Sequence, residues 1–169
     1  DFVAIETTAY KSRKDFLDKW KQILAATVEH LKPKQYDRLG VRYIDRMMGS
    51  EITDNIKKFI RPDALGILNG FSPDEIIHML NQTLFKVEDA QLSARWGKLA
   101  PHSTFDPATL ESKPEPSWVL DLDIFRDLKG QTEPLDIEKI MKDSKFYTER
   151  VYSFFRWVVT EEFLKYYGG

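Results

Sequence analysis

Arg38-Leu39-Gly40-Val41-Arg42-Tyr43-Ile44-Asp45 is the stretch whose reading decides the fold. In an extended chain successive side chains alternate, so Leu39, Val41 and Tyr43 share one face while Arg38, Gly40 and Arg42 share the other. A strand with an aliphatic side and a guanidinium side belongs in an antiparallel sheet, one face packed on helices and the other polar. The same alternation recurs late in the chain, where Trp118, Leu120, Leu122 and Ile124 oppose Val119, Asp121, Asp123 and Phe125. Between them, Glu88-Asp89-Ala90 reads as a hairpin turn, entered by a strand ending at Val87 and left by a strand over 91–97 that sets Leu92, Ala94 and Trp96 against Ser93 and Arg95.

Helical periodicity flanks this sheet. Ser12, followed by Asp15, starts a helix over 13–31 with Phe16, Trp20, Ile23, Leu24, Thr27, Val28 and Leu31 on one stripe, closed by Lys32-Pro33. Asp136 caps a second, long helix expected over 137–166. Residues 51–70 carry short helical signals, and Ser72-Pro73-Asp74-Glu75 opens a single turn. Pro101, Pro107, Pro114 and Pro116 punctuate an aperiodic connection, and loops of that length are usually functional or disordered. Residues 2–10 alternate in β-prone side chains and read as a further strand. The expectation is a single α+β domain over 1–169: an antiparallel sheet of about five strands, with helices 13–31 and 137–166 packed on one face.

Composition narrows the function classes. The chain has 169 residues, 25 basic and 27 acidic, with a net charge of −2, so no positive field invites nucleic acid or an anionic membrane. There is no cysteine, which excludes disulfides, thiolate catalysis and cysteine-based zinc sites and fits a reducing cytoplasm. No apolar run approaches the roughly 18 residues of a membrane span. The sequence has no Gly-x-Ser-x-Gly, no His-Glu-x-x-His and no phosphate loop, so neither a catalytic set nor a cofactor is assigned. His30, His78 and His102 have no partner at ligand or triad spacing and read as structural.

Several segments together carry a resemblance: Phe-Val-Ala-Ile-Glu-Thr-Thr-Ala-Tyr at 2–10, the stretch at 38–45, Arg-Trp-Gly at 95–97, Trp-Val-Leu-Asp-Leu-Asp-Ile-Phe at 118–125, and Phe-Phe-Arg-Trp-Val-Val-Thr-Glu-Glu-Phe-Leu at 154–164. In these the chain resembles the "sporadically distributed" family of uncharacterised prokaryotic proteins, with an Arg-Leu-Gly-x-Arg-Tyr-x-Asn/Asp core and a late Leu-Asp-Leu-Asp strand. The resemblance implies no activity or cofactor. It implies a longer amino end with additional strands, which would leave 2–10 as an edge open to pairing.

Two features remain as candidates for function. Glu6, Arg42, Arg95, Asp121 and Asp123 fall on the polar sides of their strands and would form either a floor for an anionic small molecule, gripped by arginine, or an ion network satisfied within itself. Asp121 and Asp123, two apart, would also suit one hard cation, but a third ligand is missing and no metal is assigned. The carboxy-terminal helix is apolar nearly all round. Tyr152, Phe155 and Trp157 either join its core face or belong with Phe163, Tyr166 and Tyr167, which invite a homo-oligomer contact or another protein. The leading expectation is a non-enzymatic binding or assembly module. The alternative is an enzyme acting on an anionic small molecule through the Arg/Asp cluster.

Overall fold

The computed structural model describes residues 2–168. Its elements follow in the order α1 (Arg13–Leu31), β1 (Gln35–Tyr36), β2 (Arg38–Met48), α2 (Ser50–Asp54), α3 (Ile56–Phe59), α4 (Pro62–Leu65), a 3-10 turn (Gly66–Asn69), β3 (Met79–Val87), β4 (Ala90–Leu99), β5 (Ser117–Asp127), β6 (Glu133–Pro134), α5 (Ile137–Val158) and α6 (Glu161–Tyr167). The fold is α+β with antiparallel sheets. The main sheet has four strands, in the order β2-β5-β4-β3, and β1 and β6 form a separate two-stranded ribbon. The expected sheet of about five strands is therefore four strands and a ribbon.

Two compact units divide the chain: Asp1–Val41 with Phe125–Arg150, and Arg42–Ile124 with Val151–Gly169. In the first, Ser12 caps α1 by accepting from Asp15 N at 3.1 Å, as its position before an acidic first turn requires. Trp20 Nε1 donates to Ser144 Oγ at 3.2 Å, so α1 lies against the first half of α5. Residues 2–10, expected as a strand, form none, and all but Ile5 among them are exposed. Their β propensity finds no partner strand, and such propensity expresses itself only in a paired, half-buried setting.

In the second unit β3 and β4 form the expected hairpin. Val87 pairs with Ala90 across the two-residue turn Glu88-Asp89, with Glu88 at φ 55°, and the ladder runs to Met79 opposite Lys98. A positive φ in such a turn lets it follow the twist of the strands. Trp96 turns its ring to Phe154 of α5, centroids 6.1 Å apart, and donates Nε1 to Ala64 O at 2.6 Å. Phe85, two residues beyond Thr83 on the same side of β3, meets Phe154 at 5.4 Å. The outer strand β3 also leaves Leu84 exposed. Residues 51–70, expected as two short helices, fold instead as α2, α3, α4 and the 3-10 turn, and Ile56, Ile60, Leu65 and Leu68 from this stretch are fully buried, as are Trp118, Leu120 and Leu122 of β5.

The terminal helix is not one rod. It stops at Val158 because the backbone changes partners: Val159 bridges Ile60, Arg61 N donates to Val158 O at 2.9 Å, and Thr160 N to Phe59 O at 2.9 Å. Thr160 then caps α6, its hydroxyl accepting from Phe163 N. The helix expected over 137–166 is thus two helices with a capped break. Among the described residues no helix is long and apolar enough to cross a membrane.

Gly97 of β4 lies opposite Leu80, against the backbone of β3. A Cβ there would lie 1.9 Å from Met79 O and 2.8 Å from Met79 C, both backbone atoms. Gly97→Ala must therefore push the hairpin apart, at a cost of about 3 kcal/mol or more. The expected result is a urea midpoint lowered accordingly, with the loss seen first in amide exchange of 79–82.

Candidate functional site

Neighbouring residues of a strand point to opposite sides, so Arg95 faces away from the Trp96 ring and its helical partner. On that side Arg42 of β2, Asp121 of β5 and Arg95 of β4 meet. Asp121 is 1% exposed and stands on the strand between the other two. Arg42 grips it in bidentate fashion, Nε to Oδ1 at 2.7 Å and Nη2 to Oδ2 at 3.0 Å. Arg95 approaches from the other flank, with Nε and Nη2 at 2.9 and 2.6 Å from Oδ2. A buried carboxylate is tolerable only when its lone pairs are filled by good donors, and this one is filled from both sides.

A fourth member comes from the proline-rich connection. Asp106 Oδ2 lies 2.8 Å from Arg42 Nη2 and 3.6 Å from Arg95 Nη2. The preceding Phe105 places its ring 4.5 Å beneath the Arg95 guanidinium, a cation–π contact. The connection is folded onto the sheet. Leu110 joins Leu99 and Val119 in a buried cluster on which Phe105 and Ile44 pack, and Leu110 N closes a turn on Asp106 O at 2.8 Å. Farther along, Arg46 donates Nε to Ser117 Oγ at 3.0 Å and Nη1 to Glu111 O, while its Nη2 is buried with no acceptor.

The electrostatics follow the contacts. The Arg42 hydrogen bond, then that of Thr109, holds the Asp106 carboxyl at about 2. The bonds to Asp121 and Asp106 hold Arg42 above its ordinary value against the opposing effect of burial. Arg46 is shifted the other way, because burial disfavours its charge. Asp45 is exposed on β2, yet crowding by the surrounding protein raises its carboxyl to about 6.

Of the residues singled out in the sequence, Arg42, Arg95 and Asp121 come together. Asp123 follows two residues along the same face of β5 and is half-buried. Glu6 lies on the exposed, irregular amino-terminal segment, so the alternation that recommended it is not realised as a strand. Sequence reading missed Asp106 and Phe105, whose segment has no period to reveal which residues turn inward. Among the described residues no group of three or more acidic or histidine side chains is placed to hold a metal ion.

At the carboxy end, Tyr152, Phe155, Arg156, Phe163, Leu164 and Tyr167 line a hollow of about 260 Å³. Phe163 is buried as part of its wall, with Tyr167 tilted against it at 4.7 Å and Phe155 edge-on at 5.7 Å. Tyr152, Tyr166 and Tyr167 each leave half or more of their surface exposed. No family model, no curated protein and no solved structure matches the chain.

Two outcomes follow from the cluster. Arg42→Ala leaves the buried Asp121 half-matched and should cost about 3 kcal/mol in urea unfolding; a change below about 0.5 kcal/mol would show that Arg42 carries no structural charge. The Asp106 carboxyl sits lower folded than its ordinary 3.8, so its ionised form favours the fold. That contribution is complete above about pH 4 and disappears as the pH falls toward 2. The stability difference between the wild type and Asp106→Asn should accordingly hold constant from about pH 5 to 7 and shrink below about pH 4.

Proposed function

We propose that this chain is a non-enzymatic binding or assembly module whose aromatic carboxy-terminal end pairs with the same end of a second copy. The observation that carries the proposal is that one patch holds both halves of a fit. The hollow walled by Phe155, Phe163 and Tyr167 is large enough for an aromatic ring, and the exposed rings of Tyr152 and Tyr166 belong to the same patch. A two-fold contact requires such self-complementarity, with each copy offering the same knob and the same hole. Tyrosines suit the role because they bring area at little conformational cost and keep a polar tip. Arg156, held to Glu161 at 3.3 Å, supplies a charged rim without an unmatched cation.

The alternative, an enzyme acting on an anionic small molecule at Arg42, Arg95, Asp121 and Asp123, has less support. The two guanidiniums are matched by Asp121 and Asp106, and a matched network is what an ion-paired sheet face needs for its own sake. The same proposal keeps the chain with the "sporadically distributed" family on its 38–45 and 120–123 motifs, and places it in a reducing cytoplasm on its lack of cysteine.

Sedimentation equilibrium of the full chain is the test. The expected result is a dimer that Tyr152→Glu and Tyr167→Glu each weaken by about tenfold or more without lowering thermal stability. A monomer at every concentration reached, or a dimer indifferent to both substitutions, would overturn the pairing.

A further inference from the structure

The two carboxylates of the sheet cluster hold their arginines in different ways. Asp121 belongs to the central strand, is 1% exposed and engages Nε of both guanidiniums, so it sets their orientation. Asp106 belongs to the connection laid over the sheet, has a 23% exposed side chain, and touches only the Nη2 corners, at 2.8 Å from Arg42 and 3.6 Å from Arg95. Arg42 Nη2 hydrogen-bonds Asp106 Oδ2, whereas Arg95 Nη2 is only within ion-pair reach of that oxygen and is held closer by Asp121 Oδ2, at 2.6 Å. Two guanidiniums oriented from behind by a buried acid, one bonded to an outer oxygen and the other within ion-pair reach of it, place side by side the groups with which arginine grips the terminal oxygen of a carboxylate or phosphate.

Charge agrees with this division. Arg42, Arg95 and Asp121 together carry one net positive charge, which Asp106 offsets, and Asp123 lies two residues farther along the same face of β5. The connection also covers the face imperfectly, since Arg46 Nη2, four residues along β2, is buried without an acceptor. A segment evolved only to neutralise this face would not be expected to leave that donor unmet, because an unfilled buried donor is costly. Asp106, unlike Asp121, belongs to no strand of the sheet.

We infer that Asp106 is a built-in stand-in for an external oxyanion, and that a small ligand bearing a terminal carboxylate or phosphate takes its place on Arg42 and Arg95. Displacement frees the Asp106 end of the connection, while Leu110, in the buried cluster with Leu99 and Val119, keeps the rest attached. The site is self-occluded, and ligand entry is coupled to movement of residues 105–106. This inference stands apart from the pairing of the aromatic ends and does not depend on it.

Calorimetric titration of the full chain with inorganic phosphate and, separately, with succinate tests it. Asp106→Ala should bind at least one of the two about tenfold more tightly than the wild type, since the competing internal anion is gone. Asp106→Asn, which keeps a side chain of the same shape without the charge, should gain less. Arg42→Ala added to Asp106→Ala should abolish the gain. A response to phosphate alone assigns a phosphoryl ligand, and one to succinate alone a carboxylate. Equal affinity of wild type and Asp106→Ala for both probes would overturn the inference, as would a gain that survives loss of Arg42. If Asp106→Ala does not fold, the absence of any gain in Asp106→Asn overturns it equally.

Discussion

One buried carboxylate organises the polar half of the sheet. Asp121 stands on β5, between the strands that carry Arg42 and Arg95, and its two oxygens receive both guanidiniums. Withdrawing a carboxylate from water costs several kcal/mol, a loss offset only when the surrounding donors are complete and well aimed. The arrangement therefore fixes three strands laterally by charge, beside the aliphatic cluster of Leu99, Leu110 and Val119. It also explains why the connection folds back over this face: Asp106 supplies the charge and Phe105 the surface that two arginines on one side of a sheet call for.

The other unit repeats the logic with different parts. Arg126, nearly buried, donates to Glu133 Oε2 at 2.8 Å and to Tyr36 Oη at 2.7 Å, so the short ribbon of β1 and β6 is closed by a guanidinium, a carboxylate and a phenol. Lys139 also bonds Glu133, and these partners hold the Glu133 carboxyl at about 2. Both units thus match an arginine on the sheet or ribbon with a carboxylate.

How much of this is legible in the letters depends on whether a period exists. Alternation over 38–45 and 118–125 is a property of neighbouring residues, and it puts Arg42 and Asp121 on one side, where Ile44 and Val119 also join the buried cluster with Leu99 and Leu110. The hairpin around Glu88-Asp89 is equally local. Residues 2–10 alternate just as well and yet form no strand, because a strand needs a neighbour that the letters of the strand itself cannot supply. The break in the terminal helix has a local signal, Thr160 before Glu161 and Glu162, which is a cap with an acidic first turn. The aromatic and aliphatic residues on both sides, from Phe154 to Val159 and from Phe163 to Tyr167, hide it. The approach of Asp106 to Arg42 spans 64 positions of chain through an aperiodic segment, and no spacing rule reaches that far.

The outermost strand, β3, has a consequence for the protein in crowded solution. It is an edge of the four-stranded sheet, and Leu84 stands exposed on it, followed by Lys86. A loosened neighbour with an extended segment to spare would find a ready-made template there, and stacking of further chains would follow the same rule. Handling at high concentration or near the melting temperature is thus where this molecule would begin to form aggregates, growing from the rim of its own sheet.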